Sequence, residues 1–342
     1  MQTPSFLQHG DKIAIIATAR KISQEELKPA VEIFRKWGFD VVYGRYLLRE
    51  DNQFAGNDQE RAEDLQWALD DENIKAIICA RGGYGTVRII DKIDLTKFSE
   101  KPKWIIGYSD VTVLHSHIHN LLGVETLHAT MPINFPTDGM ENEALISLKK
   151  ALNNENIQYT FDCHPLNRKG NAEGILVGGN LSILYSLIGT ASDIDTDGKI
   201  LFIEDLDEYL YHIDRMMMNL KRSGKLANLA GLVVGGMSDM KDNTVAFGKT
   251  AEEIISEAVA DYSYPVCFQF PSGHQQDNRT LILGRKAILN VGEAVELQFV
   301  AANENEKGIF SVLKKSFIAI LMITVLFAFI YAIIKLINYL LV

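Results

Sequence analysis

Three short runs limit what this chain can become: KIAIIA at 12–17, AIICA at 76–80 and WII at 104–106. Past the leading lysine they are apolar throughout, with no polar residue on alternate positions. A strand with one wet face alternates, so strands without alternation are covered on both faces. Helical patterns lie between them: 25–37 carries helical spacing and stops at Gly38, and 58–69 opens on acidic residues. Strands separated by helices predict a parallel α/β sheet wrapped by helices. A second set follows, with apolar strands at 200–203, 232–234 and 265–268 and alternating strands over 287–300. Between the two sets, NNENIQYTFDCHPLNRKGN at 153–171 is polar and without periodicity, which predicts an inter-domain crossing. No internal repeat is visible.

At 342 residues the chain is long enough for two cores. A net charge of −10 and the absence of any basic block exclude a nucleic-acid binder, which needs clustered Lys and Arg. The three cysteines, Cys79, Cys163 and Cys267, are odd in number and show no CxxC spacing, as reduced thiols would. MQTPSFLQHGDK at the N-terminus shows no secretory signal, so the catalytic part is expected in the cytoplasm.

Ligands of parallel α/β sheets gather at the carboxyl ends of strands, and several chemically capable groups fall there. Ser109 follows the third run in IIGYSDVT, two positions after Gly107. The pattern is a partial nucleophile elbow, with Val111 where G-x-S-x-G has its second glycine. A helix cap is the competing role for that serine. Glu204 ends the strand ILFI and opens EDLDE, either to orient a base or as part of a solvated acidic surface. His274 sits in FPSGHQQDN, a turn able to present an imidazole. RGGYG at 81–85 lacks the lysine of a P-loop, but its glycines allow backbone N–H groups to approach a reacting oxygen. His115 and His119 in LHSHIHN share a helical face with His117 between them, yet the glutamate of HExxH is missing, so a partly buried polar face is expected.

RGGYG, GYSD before a helix, GGNLSIL at 178–184, LFIEDLDEYLYHIDRMMMNLKRSG at 201–224 and PSGHQQDN at 271–278 together resemble the serine LD-carboxypeptidases. That family also holds the microcin C self-immunity peptidases. The resemblance runs from about residue 3 to 300. It implies an N-terminal α/β domain and a C-terminal swivelling β/α domain, often dimeric. It also implies a triad of Ser109 as nucleophile, Glu204 as acid and His274 as base. Backbone N–H groups of Asp110 and of Gly83, with Gly82 as the other choice, would form the oxyanion hole. The implied reaction releases terminal D-alanine from a muropeptide tetrapeptide in cell-wall recycling, without cofactor or metal. Hydrolysis of peptidyl or aminoacyl nucleotides, as in microcin immunity, is the alternative, and a non-catalytic muropeptide sensor is a third reading. ATARKIS at 17–23 departs from the family, which usually has a proline-serine pair there, and Ile282 stands where proline is common.

SFIAILMITVLFAFIYAII at 316–334 carries no charge and, at about 1.5 Å per residue, approaches the roughly 30 Å of a bilayer core. Lys314 and Lys315 precede it. The expected layout is therefore an N-terminal domain over 1–152, a linker over 153–171, a catalytic C-terminal domain over 172–302, a linker over 303–315 and a transmembrane helix over 316–338. Such a helix would hold cytoplasmic catalytic domains, homodimeric as the resemblance implies, at the inner membrane.

Overall fold

The computed structural model describes residues 1–302. Its first strands are β1 (Lys12–Ile16), β2 (Asp40–Tyr43), β3 (Ile74–Cys79), β4 (Trp104–Gly107) and β5 (Thr126–His128). Then come β6 (Gln158–Asp162), β7 (Gly170–Asn180), β8 (Ile200–Leu206), β9 (Gly231–Ser238) and β10 (Val266–Cys267). The series closes with β11 (Leu281–Leu283), β12 (Lys286–Val291) and β13 (Ala294–Phe299). Helices α1 (Gln24–Lys36), α2 (Asp58–Asp70), α3 (Thr96–Glu100) and α4 (Thr112–Leu122) belong to the first half. They are followed by α5 (Glu143–Leu152), α6 (Leu181–Leu187), α7 (Leu210–Arg222) and α8 (Ala251–Ala258).

Two sheets form. The first runs β11-β5-β4-β3-β1-β2, with β1 to β5 parallel as the unalternated runs require and β11 antiparallel at the edge. The second runs β10-β9-β8-β7-β12-β13-β6, parallel from β10 to β7 and antiparallel beyond. The antiparallel strands β12 and β13 alternate strictly between buried and exposed residues, as a half-wet face dictates. Ser23 with Glu26 and Asn57 with Glu60 build capping boxes that start α1 and α2. Residues of both sheets, among them Ile13, Ile15, Phe202 and Leu289, share one buried apolar cluster.

Two features differ from the sequence reading. β6 lies inside the polar stretch 153–171, because an edge strand with Gln158, Thr160 and Asp162 facing water gives no apolar signal. The second concerns the transmembrane helix that completed the expected fold. Helices α1, α2 and α7, the longest among the described residues, have 13 residues each, about 20 Å. No helix among the described residues is long and apolar enough to cross a membrane, which overturns the expected architecture with a membrane span. The segment 316–338, to which that span was assigned, lies outside the described residues.

Candidate active site

At the end of β4 the chain makes an abrupt turn into α4. Ser109 sits in it at φ 63°, a left-handed conformation that costs a non-glycine residue on the order of 1–3 kcal/mol and that collects at functional sites. Gly107 makes the turn possible. Its φ is 153°, and a β-carbon there would lie 2.8 Å from Val111 Cγ2. Val111 thus packs on Gly107 where the elbow pattern would have a second glycine. The N-cap positions of the turn and of α4 are Tyr108 and Val111, so Ser109 is not a helix cap.

The glycine-rich loop after β3 lies against this serine. A β-carbon on Gly82 would come 2.9 Å from Ser109 Cβ and 3.0 Å from its Oγ, whereas one on Gly83 would run into Arg20. Two buried charged side chains hold the loop. Asp110 Oδ2 accepts from the Thr86 N–H at 2.8 Å, and Arg61 Nη1 donates to the carbonyls of Thr18 and Gly85 at 2.6 and 3.0 Å. Burial pushes the Asp110 carboxyl up, against the hydrogen bonds from Thr86 and Gly85 and the charge of Arg61. Sequence reasoning singled out Asp110 only for its backbone N–H and missed Arg61 altogether. A charged residue that turns inward from a polar helix leaves no periodic signal.

Inside β8, two residues before its end, Glu204 is fully buried and accepts from His274 twice. The imidazole Nδ1 is 2.6 Å from Oε2 and the His274 backbone N–H is 3.1 Å from the same oxygen. Gly273, at φ 105°, allows this approach: a β-carbon there would lie 2.7 Å from Glu204 Cβ and Oε2. Asn278 Oδ1 accepts from the Gly273 N–H at 2.9 Å, and Ser238 donates to the His274 carbonyl, so the loop is tied from both sides. With Nδ1 donating to a carboxylate, Nε2 keeps its lone pair. Burial disfavours the imidazolium, but the Glu204 charge and hydrogen bond, helped by Asp205, outweigh it and raise the His274 pKa. The acidic run therefore divides: Glu204 and Asp205 are buried, while Asp207 pairs with Lys241 and Glu208 with His212.

The ring of Tyr108, the residue before Ser109, packs on His274 with centroids 4.8 Å apart. A second connection runs behind it. Thr112 Oγ1, at the start of α4, accepts from the Asn180 N–H at 3.0 Å, and Asn180 Nδ2 donates to Asp205 Oδ1 at 2.9 Å. The Asp205 carboxyl, pushed up to about 7 by burial and by the Glu204 charge, adjoins the acid of the pair. The turn after β4 in the first sheet is thus brought against the His274–Glu204 pair of the second through the Tyr108 ring, although no hydrogen bond joins Ser109 to His274 among the described residues. The histidines of α4 go elsewhere. His115 bonds the Gly107 carbonyl, His117 meets Ser192 and His119 meets Thr126, all buried. Among the described residues no group of three or more His, Cys, Asp or Glu side chains is placed to hold a metal ion.

A strained serine turn beside a carboxylate-held imidazole is the equipment of a serine-type hydrolase. Residues 13–129 match the family model of the LD-carboxypeptidase N-terminal domain and residues 173–289 that of the C-terminal domain. The chain belongs to the LD-carboxypeptidases, and is a serine-type enzyme of that family. It is 36% identical over 293 residues to the probable murein peptide carboxypeptidase of Bacillus subtilis, covering 85% of this chain and 92% of that one. With the murein tetrapeptide carboxypeptidase of Pseudomonas aeruginosa it shares 30% identity over 289 residues, 81% of this chain and 92% of the relative. The crystal structure of muramoyltetrapeptide carboxypeptidase from Oxalobacter formigenes superposes with a TM-score of 0.76 at 28% identity, over 84% of this chain and 98% of that one. Microcin C7 self-immunity protein MccF has a TM-score of 0.77 at 21% identity, over 88% of this chain and 99% of that one, a likeness of fold.

Proposed function

We propose that this chain removes the terminal D-alanine from a murein tetrapeptide, with Ser109, His274 and Glu204 as its triad. Ser109 Oγ attacks the carbonyl carbon of the amide preceding D-alanine while His274 Nε2 takes the hydroxyl proton. The N–H groups of Asp110 and Gly83 receive the developing oxyanion. Collapse breaks the C–N bond, and His274 returns the proton to the departing amine. Water then attacks the Ser109 ester with the same base, releasing the tripeptide carboxylate and restoring the hydroxyl. Glu204 keeps the imidazole in the Nδ1–H tautomer and stabilises the imidazolium.

The observation that carries this reading is the His274–Glu204 hydrogen bond at 2.6 Å on a fully buried carboxylate. The tetrapeptide is taken from the names of the murein tetrapeptide carboxypeptidase of Pseudomonas aeruginosa and the muramoyltetrapeptide carboxypeptidase of Oxalobacter formigenes. Microcin-immunity chemistry is not adopted, since the likeness to MccF is one of fold. Incubation with a purified murein tetrapeptide and measurement of free D-alanine tests the reading; an inactive protein would refute it.

A further inference from the structure

A carboxypeptidase must recognise a free carboxylate one residue beyond the bond it cuts, and the site described so far supplies no cation for it. We infer that Arg20, from the segment that departs from the family pattern, is the residue that binds this terminal carboxylate. The assignment rests on the proposed removal of a terminal D-amino acid.

Position is the first ground. Ser109 packs over Gly82, and the Arg20 side chain packs over the next residue, Gly83. A β-carbon on Gly83 would lie 2.6 Å from Arg20 Cγ and Cδ and 2.9 Å from Nε. Adjacent Cα atoms are about 3.8 Å apart, and the terminal carboxylate carbon lies three bonds past the scissile carbonyl carbon, a similar span. Serine and arginine thus lie against consecutive residues of one loop, as groups that act on a carbonyl and on the carboxylate three bonds beyond it would.

Availability is the second ground. Arg20 is exposed and has no hydrogen-bond or ion-pair partner for its side chain among the described residues. The neighbouring cations are committed. Arg61 and Arg88 pair with Asp58, Lys21 pairs with Glu50, and Arg81 donates to the Lys21 carbonyl and lies 4.0 Å from Glu26.

Preorganisation is the third. The Ala55 N–H donates to the Ala19 carbonyl and the Lys21 N–H to the Gln53 carbonyl, both at 3.0 Å, fixing the backbone on either side of Arg20. Arg61 ties this segment to the glycine-rich loop through Thr18 and Gly85. From this fixed backbone the Arg20 guanidinium can offer a carboxylate two parallel N–H donors, which an ammonium does not.

The test compares equilibrium binding of a murein tetrapeptide ending in D-alanine with the same peptide ending in D-alaninamide. Full-length Ser109→Ala protein is used so that neither is turned over, with and without Arg20→Gln or Arg20→Lys. The free acid is expected to bind at least about tenfold more tightly than the amide when Arg20 is present. Arg20→Gln should abolish that ratio and Arg20→Lys should leave an intermediate one. An undiminished preference in the R20Q protein, or no preference with Arg20 present, overturns the assignment. D-alanine release by the unaltered enzyme separates the failures. Release together with either overturning result removes Arg20 alone, whereas no release removes the peptidase reading and Arg20 with it.

Discussion

His274 gives Glu204 two hydrogen bonds at one oxygen, from its ring Nδ1 at 2.6 Å and its own backbone N–H at 3.1 Å. The carboxylate thereby fixes the ring's tautomer and also the position of the loop that carries it. Replacement of Glu204 by Gln should lower kcat about a thousandfold or more, because a neutral partner no longer enforces the tautomer. Steady-state kinetics against circular dichroism separates this loss from unfolding.

The pH profile follows from the same pair. Glu204 and Asp205 hold the His274 pKa above its ordinary 6.5 against the opposing effect of burial. The base works only when neutral, so kcat/KM should fall as pH drops through that raised value, giving an acidic limb above pH 6.5. Asp205→Asn removes one of the charges that favour the imidazolium and should move the limb to lower pH. A limb that stays in place in that variant separates Asp205 from the base.

Ser109 predicts a reversal between stability and activity. Because φ is 63°, Ser109→Gly should unfold at higher urea than Ser109→Ala, by about 1 kcal/mol, while both are inactive. Equal midpoints would mean that the turn is not strained in solution.

Gly82→Ala tests the glycine-rich loop. Gly82 has no left-handed φ, so the added methyl acts only sterically, at 2.9 Å from Ser109 Cβ. A displacement of about 1 Å at a nucleophile costs on the order of a hundredfold, and the variant should lose that much kcat with little change in melting.

The buried pair of Arg285 and Glu125, 2.6 Å apart, joins the residue before β12 to the one before β5. Arg285→Met leaves Glu125 buried without its partner and should cost about 3–5 kcal/mol. The double variant with Glu125→Leu should recover much of it, as urea midpoints would show.

What could be read in advance follows a physical division. β1, β3, β4 and β8 are buried on both faces and announce themselves as apolar runs; Ser109 and His274 follow glycines in turns after strands, and Glu204 directly follows the run ILFI. β6 was hidden by its edge position, and β5, three residues long, is too short to carry a period. Arg61, Asp110 and Asp205 act through buried side chains that long-range packing turns inward, which no local pattern records. The choice between Gly82 and Gly83 turns on how the loop folds against Ser109, 27 positions beyond Gly82 along the chain, which no local pattern records.

The central claim is that Ser109 attacks the amide before a terminal D-alanine, and the most direct measurement is D-alanine released from a murein tetrapeptide by the full-length chain and by its Ser109→Ala variant. The account predicts release by the unaltered chain and a loss of at least about a thousandfold in the variant, whose fold is retained. Release at comparable rates by both proteins, or by neither, would contradict it.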